Sequence, residues 1–337
     1  MKKEEPEFSV IVTAYNQENF IENTLESLSD QTFKNFEVIV VDDGSIDGTV
    51  SILENYPKDS LNLRILKHKE NKSTFMSRLT GIKEAKGKFI LLLDGDDTFF
   101  SDALQKLHDE VILKESFDVC EFSYYQKAEK SIFAPIEIDK NISRIEQFAL
   151  EEMPSFSMVN KLYDAKVIKK SFIDIPTAYM NVGEDCYQSL CVALNCKKYI
   201  AKNILVFSYN TESGITSKKY TLQKNEINFT SLYNVIQCTQ KLLTNKLQAE
   251  LSHKILHNIQ SKLLDWAMVK IKYQTEKQDI TKSYLLLPKY FDIKYLQNDF
   301  DSLYGDALKY RNGQFSFVNF LKKIYHKIKK IWKTSKT

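Results

Sequence analysis

The sequence predicts an α/β fold in which a mostly parallel sheet is flanked by helices and followed by a smaller α-helical domain. Strand-like and helix-like patterns alternate four times within the first hundred residues, which is typical of βαβ units. From about residue 221 the pattern changes to long amphipathic stretches with few turn residues, which favours helices. In addition, polar clusters follow three of the predicted strands, and these clusters bear on function.

The elements of the first part follow from local patterns. Continuous apolar runs predict strands, and apolar residues three or four positions apart predict helices. The predicted strands are 8–15, 36–41, 63–66 and 89–93, and the helices between them are 20–28, about 48–53 and 73–85. Further along, 101–114, 165–171 and 183–194 read as helices, and 117–124 and 204–209 as strands.

The strand from Phe89 to Leu93 carries the clearest chemistry, because it ends in Asp94-Gly-Asp-Asp97. Alternate residues of an extended chain point to the same side, so Asp94 and Asp96 can converge on one ligand. Clustered carboxylates beside a buried strand are hard to keep ionised without a cation. Their oxygens suit Mg²⁺ or Mn²⁺. A solvated turn after a strand is the alternative interpretation of this motif alone.

Two other strands end in polar residues at what should be the same edge of the sheet. In open α/β sheets, ligands bind outside the carboxyl ends of the strands. The three polar ends are Thr13-Ala14-Tyr15, Asp42-Asp43 and Asp94-Gly95-Asp96-Asp97, which we call the acidic turn. Neither GxxxxGK[ST] nor GxGxxG occurs in the chain, so the phosphates of a bound nucleotide need another partner. A metal on the acidic turn and Arg78 are the two candidates.

These motifs, taken in order, resemble the family 2 glycosyltransferases over about residues 7–215. The matching segments are Ser9-Val-Ile-Val-Thr-Ala-Tyr-Asn16, Gln31-Thr-Phe33, Val40-Val-Asp-Asp-Gly-Ser45, Asp47-Gly-Thr49, Arg78, Leu93-Asp-Gly-Asp-Asp97, Asn160-Lys-Leu-Tyr163 and Gly183-Glu-Asp185. The resemblance implies a GT-A fold and inverting transfer from a nucleotide-diphospho-sugar with a divalent metal. One departure is Asn71-Lys-Ser73, where family members often have Asn-x-Gly.

The resemblance also implies a role for each donor-side residue. Tyr15 would stack on the nucleobase, with Thr13 and Ala14 beside it. Asp43, with Asp42, would hold the base and the ribose, and a carboxylate accepting from an imide N–H favours uracil. Arg78 would pair with the diphosphate. The turn that contains Gly95 would bind the donor as well, with Asp96 as the main metal ligand and Asp94 on the metal or the ribose.

For the acceptor side, the resemblance implies that Asp185 is the general base and that Glu184 helps to position the acceptor. Inversion requires a carboxylate that takes the proton of the acceptor hydroxyl as this hydroxyl attacks the anomeric carbon. The alternative explanation of two acids at this position is a favourable interaction with a helix N-terminus.

We expect three segments: a catalytic domain at 1–220, a helical accessory domain at 221–314 and a basic amphipathic helix at 315–337. The last segment has a stripe of aromatic and aliphatic residues surrounded by lysines, a pattern that fits an anionic membrane surface. Packing against the accessory domain is the alternative, and nucleic-acid binding is not expected because it would leave the stripe unexplained.

Composition is compatible with an ordinary globular protein: 337 residues, 43% hydrophobic, 27% charged and a net charge of +3. The five cysteines form no CxxC pair, which favours reduced core residues in a cytosolic protein. The N-terminus lacks the apolar stretch of a signal peptide. We therefore expect a cytoplasmic enzyme at the inner face of the cell membrane, acting on a glycan or lipid-linked acceptor.

Two other functions remain open at this point. The protein could be a catalytically silent GT-A subunit or sugar-binding scaffold, although the presence of Asp94, Asp96, Asp97 and Asp185 together argues against it. It could also be a nucleotidyltransferase, but such an enzyme would usually need a glycine-rich basic loop near the first strand.

Overall fold

A computed structural model describes residues 5–57, 61–135, 141–150, 153–210 apart from 174 and 177, 221–272, and short pieces between 282 and 291. The chain divides into two compact units, Met1–Lys218 and Lys219–Thr337. The predicted C-terminal helix at 315–337 lies outside the described residues. Within the described ranges, no helix combines the length and the apolarity that crossing a membrane requires.

The first unit contains nine strands and seven helices within the described residues. The strands are β1 (Phe8–Ala14), β2 (Phe36–Asp42), β3 (Leu63–Lys67), β4 (Phe89–Asp94), β5 (Thr98–Phe99), β6 (Val119–Gln126), β7 (Ser131–Phe133), β8 (Lys161–Asp164) and β9 (Tyr199–Tyr209). The helices are α1 (Ile21–Ser29), α2 (Thr49–Asn55), α3 (Thr74–Glu84), α4 (Ala103–Leu107), α5 (Arg144–Gln147), α6 (Ala165–Ser171) and α7 (Glu184–Ala193).

These strands form one sheet in the order β3-β2-β1-β4-β8-β6-β9-β5, with β7 paired to β6. The four strands from β3 to β4 are parallel, as the sequence predicts. The sheet then continues through antiparallel pairs of β4 with β8 and of β8 with β6, and β6 is parallel to β9. The fold class is confirmed, and antiparallel strands are added to the predicted parallel half.

The core of this unit follows from the apolar runs. Val10, Ile11, Val38 and Ile39 are fully buried in β1 and β2, as expected for strands covered on both faces. The helix predicted at 101–114 is shorter than expected, because α4 gives way to a single π-helical turn at His108–Ile112. The sequence predicts no element between 125 and 150, where the structure contains β7 and α5.

The second unit is helical where the structure describes it. It contains α8 (Leu222–Lys246) and α9 (Ala249–Lys272), which pack against each other. Residues of both helices are buried at helical spacing, such as Leu232, Ile236, Ile255 and Ile259. This amphipathic pattern explains why these stretches fold as helices.

Candidate active site

Strand register brings the three predicted polar clusters to one edge of the sheet. Thr13 of β1 lies opposite Asp94 of β4, and Ala14 of β1 lies opposite Asp42 of β2. The Thr13 hydroxyl donates to Asp94 Oδ1 over 3.1 Å. Tyr15 follows β1 with 41% of its surface exposed, which leaves its ring available to a ligand.

Asp43 is a buried carboxylate of this edge with several hydrogen-bond partners. It is 3% exposed, and it accepts from the backbone N–H of Lys72 and of Ser73 at 2.9 Å each. Nδ1 of His68 lies 2.7 Å from Asp43 Oδ1. Asp43 therefore fixes the loop that leads into α3. Its neighbour Asp42 is also buried, and both of its carboxylate oxygens lie 3.4 Å from the N–H of Ser45.

Ser73 occupies the position where the resemblance leads us to expect glycine, and its backbone has the glycine-like φ of +89°. This conformation is strained for a residue with a side chain. The contact with Asp43 holds the Ser73 N–H in place. The Ser73 hydroxyl also accepts from the N–H of Met180 at 3.3 Å, which ties the loop to the chain just before α7.

Arg78 on α3 joins the donor-side edge to α7. It is 2% exposed and donates to a carboxylate oxygen of Asp185, to Asp94 Oδ1 at 3.3 Å and to Gln188 Oε1 at 3.1 Å. Glu184 Oε1 lies 3.7 Å from its guanidinium. Although burial alone would lower the pKa of Arg78, the carboxylates of Asp185, Asp94 and Glu184 raise it. The predicted contact of Arg78 with a diphosphate stays a prediction.

The two acids of the Gly183-Glu-Asp185 motif stand at the start of α7. Gly183 precedes the helix with a φ of +78°, a conformation that glycine adopts readily. The Asp185 side chain is 33% exposed, whereas that of Glu184 is 13% exposed. Burial and the charge of Asp185 raise the pKa of Glu184 to about 8. Glu184 is therefore largely protonated at neutral pH, beside a carboxylate that remains accessible.

The acidic turn is drawn tightly against β1. Gly95 donates its N–H to the carbonyl oxygen of Thr13 at 2.9 Å, and a Cβ at this position would lie 2.9 Å from that oxygen. Asp97 is fully buried and accepts from the N–H of Asn210 at 2.7 Å. Burial and the charges of Asp94 and Asp96 raise its pKa well above the usual range.

The donor set of this turn fits a divalent cation. Asp97 Oδ2 is buried and has no hydrogen-bond partner in the described part of the chain, beside the carboxylates of Asp94 and Asp96. No group of three acidic, histidine or cysteine side chains among the described residues forms a metal cage by itself. Mg²⁺ in nucleotide sites is commonly held by one or two carboxylates together with substrate phosphates. The turn is thus suited to an ion shared with a ligand.

Four further residues lie at the site without having been predicted: His68, Tyr179, Gln188 and Tyr209. Tyr179 is 40% exposed. Partial burial is the main cause that raises the pKa of Tyr179, and the nearby Asp43 and Tyr15 add to it. Burial and the charges of Asp94, Asp97, Asp96 and Asp185 likewise raise the pKa of Tyr209. His68 directly follows β3, so the rule that ligands bind at the carboxyl ends of parallel strands could have placed it at the site. The other three residues depend on contacts between distant segments.

The sequence is similar to a known protein family and to several glycosyltransferases. Residues 9–172 match the family model described as Glycosyl transferase family 2. The chain is similar to the glycosyltransferase GlyA of Streptococcus pneumoniae serotype 4, with 29% identity over 227 residues that cover 63% of this chain and 32% of GlyA. The uncharacterized glycosyltransferase EpsJ of Bacillus subtilis is 35% identical over 137 residues, which cover 40% of this chain and 39% of EpsJ. The matched segments thus span less than half the length of these relatives.

Solved structures share the fold. A crystal structure of S. aureus TarS 1-349 in complex with UDP-GlcNAc superposes with a TM-score of 0.62 and 22% identity, over 86% of this chain and 82% of that one. The mannosyltransferase PcManGT from Pyrobaculum calidifontis, in complex with GDP-Man and Mn²⁺, gives a TM-score of 0.50 and 15% identity over 96% and 86% of the two chains. These likenesses establish the GT-A fold.

The segment that matches the family model contains β1 to β4, Arg78 and the acidic turn. This combination of fold and motifs defines a GT-A type of α/β domain. This segment, residues 9–172, is a family 2 glycosyltransferase domain, which confirms the resemblance drawn from its motifs. Glu184 and Asp185 lie beyond residue 172, so their roles stay predictions.

Proposed function

We propose that the first unit transfers a sugar from a UDP-sugar to a hydroxyl group of a cell-envelope glycan or lipid-linked acceptor, with inversion. The observation that carries this proposal is the position of Arg78, which contacts Asp94 on the donor side and Asp185 on α7. One buried cation thereby brings a candidate base next to the candidate donor site. A hexose or N-acetylhexosamine is the sugar class we propose.

In this reaction Asp185 takes the proton of the acceptor hydroxyl. The oxygen of that hydroxyl forms a bond to the anomeric carbon, and the bond from this carbon to the diphosphate oxygen breaks. Arg78 orients the Asp185 side chain through a hydrogen bond to its carboxylate. Glu184, protonated near neutral pH because its pKa is about 8, can donate a hydrogen bond to the acceptor without competing as a base.

On the donor side, Tyr15 stacks on the uracil ring, and Asp43 and Asp42 hold the base and the ribose, with Thr13, Ala14 and Gly95 shaping the edge. Asp96 and Asp94 would hold Mg²⁺ or Mn²⁺, which would supply positive charge to stabilise the leaving diphosphate. The complexes of TarS with UDP-GlcNAc and of PcManGT with GDP-Man and Mn²⁺ support a nucleotide-sugar donor and a metal.

The donor proposal is tested by calorimetric titration of UDP with and without Mn²⁺. We expect Mn²⁺ to increase UDP affinity in the wild type and to have no such effect in Asp96→Ala, because few protein ligands hold the ion. Asp30→Ala, on the exposed end of α1, is the control. Equal metal-dependent affinity in wild type and Asp96→Ala would contradict the metal site. UDP binding without any UDP-sugar turnover would favour a silent sugar-binding subunit.

We also propose that residues 315–337 hold the enzyme at the inner, anionic face of the cell membrane. The support is the basic amphipathic sequence pattern. Removing the residues after Gly313 should abolish sedimentation with anionic liposomes at low salt and leave hydrolysis of the donor intact. A full-length protein that does not sediment with such liposomes would contradict this location.

A further inference from the structure

A row of aromatic rings crosses three strands on one face of the sheet. Tyr124 of β6 lies opposite Phe133 of β7 and Phe207 of β9. The centroid of the Tyr124 ring is 5.2 Å from that of Phe133 and 5.2 Å from that of Phe207, with interplanar angles of 6° and 26°. The ring of Tyr209 meets Tyr124 edge-on at 5.9 Å. We call these four residues the aromatic row.

Exposure increases steadily along the aromatic row. Phe207 is 1% exposed, Tyr124 is half-buried and Phe133 is 46% exposed. Ile132, next to Phe133 on β7, is 58% exposed. Core packing explains Phe207, but it does not explain large apolar side chains that face solvent on a three-residue strand. Because successive side chains of a strand point to opposite faces, Phe133 extends the aromatic row to solvent, whereas Ile132 lies on the other face.

The fourth member of the aromatic row, Tyr209, lies at the end of β9 near the candidate active site. Tyr209 directly precedes Asn210, whose N–H donates to Asp97 of the acidic turn at 2.7 Å. β9, which carries Tyr209, also pairs with β5, the strand that follows this turn. The row therefore leads from solvent to the proposed reaction centre.

We propose that the aromatic row is the platform that binds a sugar ring of the acceptor. This inference rests on the proposed function and names the acceptor class for the same site. A pyranose ring has apolar C–H faces and a rim of hydroxyl groups. The rigid faces of Phe133 and Tyr124 suit the C–H face, because aromatic rings present large apolar area with few rotatable bonds. The carboxylates beyond Tyr209 suit the hydroxyl groups as hydrogen-bond acceptors.

A sugar fits this surface better than a protein strand does. A peptide added to an edge strand is recognised mainly through main-chain hydrogen bonds along that edge, and β7 offers only three residues. The aromatic row runs across the strands instead. Its Tyr209 end lies beside the acidic turn, whose carboxylates can accept hydrogen bonds from sugar hydroxyl groups.

Saturation-transfer difference NMR tests the platform without knowledge of the natural acceptor. The probes are methyl β-glucoside, methyl β-galactoside and methyl β-N-acetylglucosaminide at millimolar concentration, with UDP and Mn²⁺ present. We expect saturation of the ring C–H protons of at least one probe in the wild type and in Phe133→Trp. The signal should fall at least about fivefold in Phe133→Ala, since stacking on an aromatic face is lost.

The control variant is Ile173→Ala, which removes an apolar side chain that is 64% exposed and lies outside the aromatic row; it should retain the wild-type signal. Two results overturn the inference while UDP binding is intact: absence of sugar saturation in the wild type, or equal saturation in Phe133→Ala. A change of mass in light scattering for Phe133→Ala, with sugar saturation unaltered, would also overturn it and indicate a protein interface. If the wild type does not bind UDP, the proposed function itself is contradicted.

Discussion

Asp43 and Asp185 stand on the two sides of the candidate site, and they are held in different ways. Asp43 accepts from two backbone N–H groups and lies 2.7 Å from His68 Nδ1, so the backbone itself fixes its position. Asp185 receives its hydrogen bond from Arg78, 107 residues away in the sequence. The proposed donor side is thus built into the loops of the parallel strands, whereas the proposed acceptor side depends on one buried cation.

The largest expected effect on stability comes from removing that cation. Arg78→Met leaves the carboxylates of Asp94 and Asp185 without their shared partner. We expect the free energy of unfolding to fall by about 3 kcal/mol, the low end for a broken buried ion pair, because the two side chains are 32% and 33% exposed. Urea denaturation measures this change. Lys106→Met, which breaks an exposed pair with Asp102, should cost less than about 1 kcal/mol. Equal losses in the two variants would contradict the central role of Arg78.

The next effect concerns the donor side. In Asp43→Asn one carboxylate oxygen becomes an NH₂ group, so one N–H at Lys72 or Ser73 loses its acceptor. An unsatisfied buried donor costs about 1–3 kcal/mol, and the displaced loop should also weaken UDP binding. Chemical denaturation and calorimetry measure the two effects, with the exposed Asp30→Asn as the control. If Asp43→Asn retains wild-type stability and UDP affinity, the donor side is not held as described.

A smaller effect depends on pH and belongs to the acceptor side. Folding raises the pKa of Glu184 from an ordinary 4.5 to about 8. Between these values the folded state binds more protons than the unfolded state, so the free energy of unfolding should fall as pH rises. Glu184→Gln cannot titrate, and we expect its stability to fall less between pH 5 and 8, by about 1 kcal/mol or more. The control Glu22→Gln, on the exposed face of α1, should show the same pH dependence of the free energy of unfolding as the wild type. An equal pH dependence in the wild type and both variants would contradict a buried, protonated Glu184.

The smallest effect concerns the strained backbone of Ser73. Ser73→Gly relieves the positive φ, whereas Ser73→Ala keeps it and loses the hydroxyl that accepts from Met180. Since such strain costs about 1–3 kcal/mol, the glycine variant should be more stable than the alanine variant by about 1 kcal/mol. Thermal unfolding of the pair decides the order, and an alanine variant of equal or higher stability would show that Ser73 is unstrained.

The contrast between the two sides also explains what the sequence could predict. Strands β1, β2 and β4 and their polar ends follow from apolar runs and from the edge rule for parallel sheets, so Thr13, Asp43 and Asp94 were found together. The antiparallel continuation was not predicted, because β8 is only four residues long and begins with the buried Lys161. Its place beside β4 is set by a pairing between distant segments.

Arg78 illustrates the same limit at the site. Its position on α3 and its importance were predicted, but its contacts with Asp185 and Gln188 depend on the docking of α7, which no local pattern encodes. Tyr209 was missed for a similar reason: the sequence shows an aromatic residue at the end of a strand, which is common in cores. Only the pairing of β9 with β5 and β6 brings it beside the acidic turn.

The central claim is that Asp185 is the base of a sugar transfer, and one kinetic comparison tests it most directly. Wild type and Asp185→Asn are given the UDP-sugar that the wild type hydrolyses fastest, and the release of UDP and the affinity for UDP are both measured. We predict that Asp185→Asn binds UDP like the wild type but turns over at least about 10²-fold more slowly, the usual contribution of a general base. Turnover of Asp185→Asn at the wild-type rate would contradict the account.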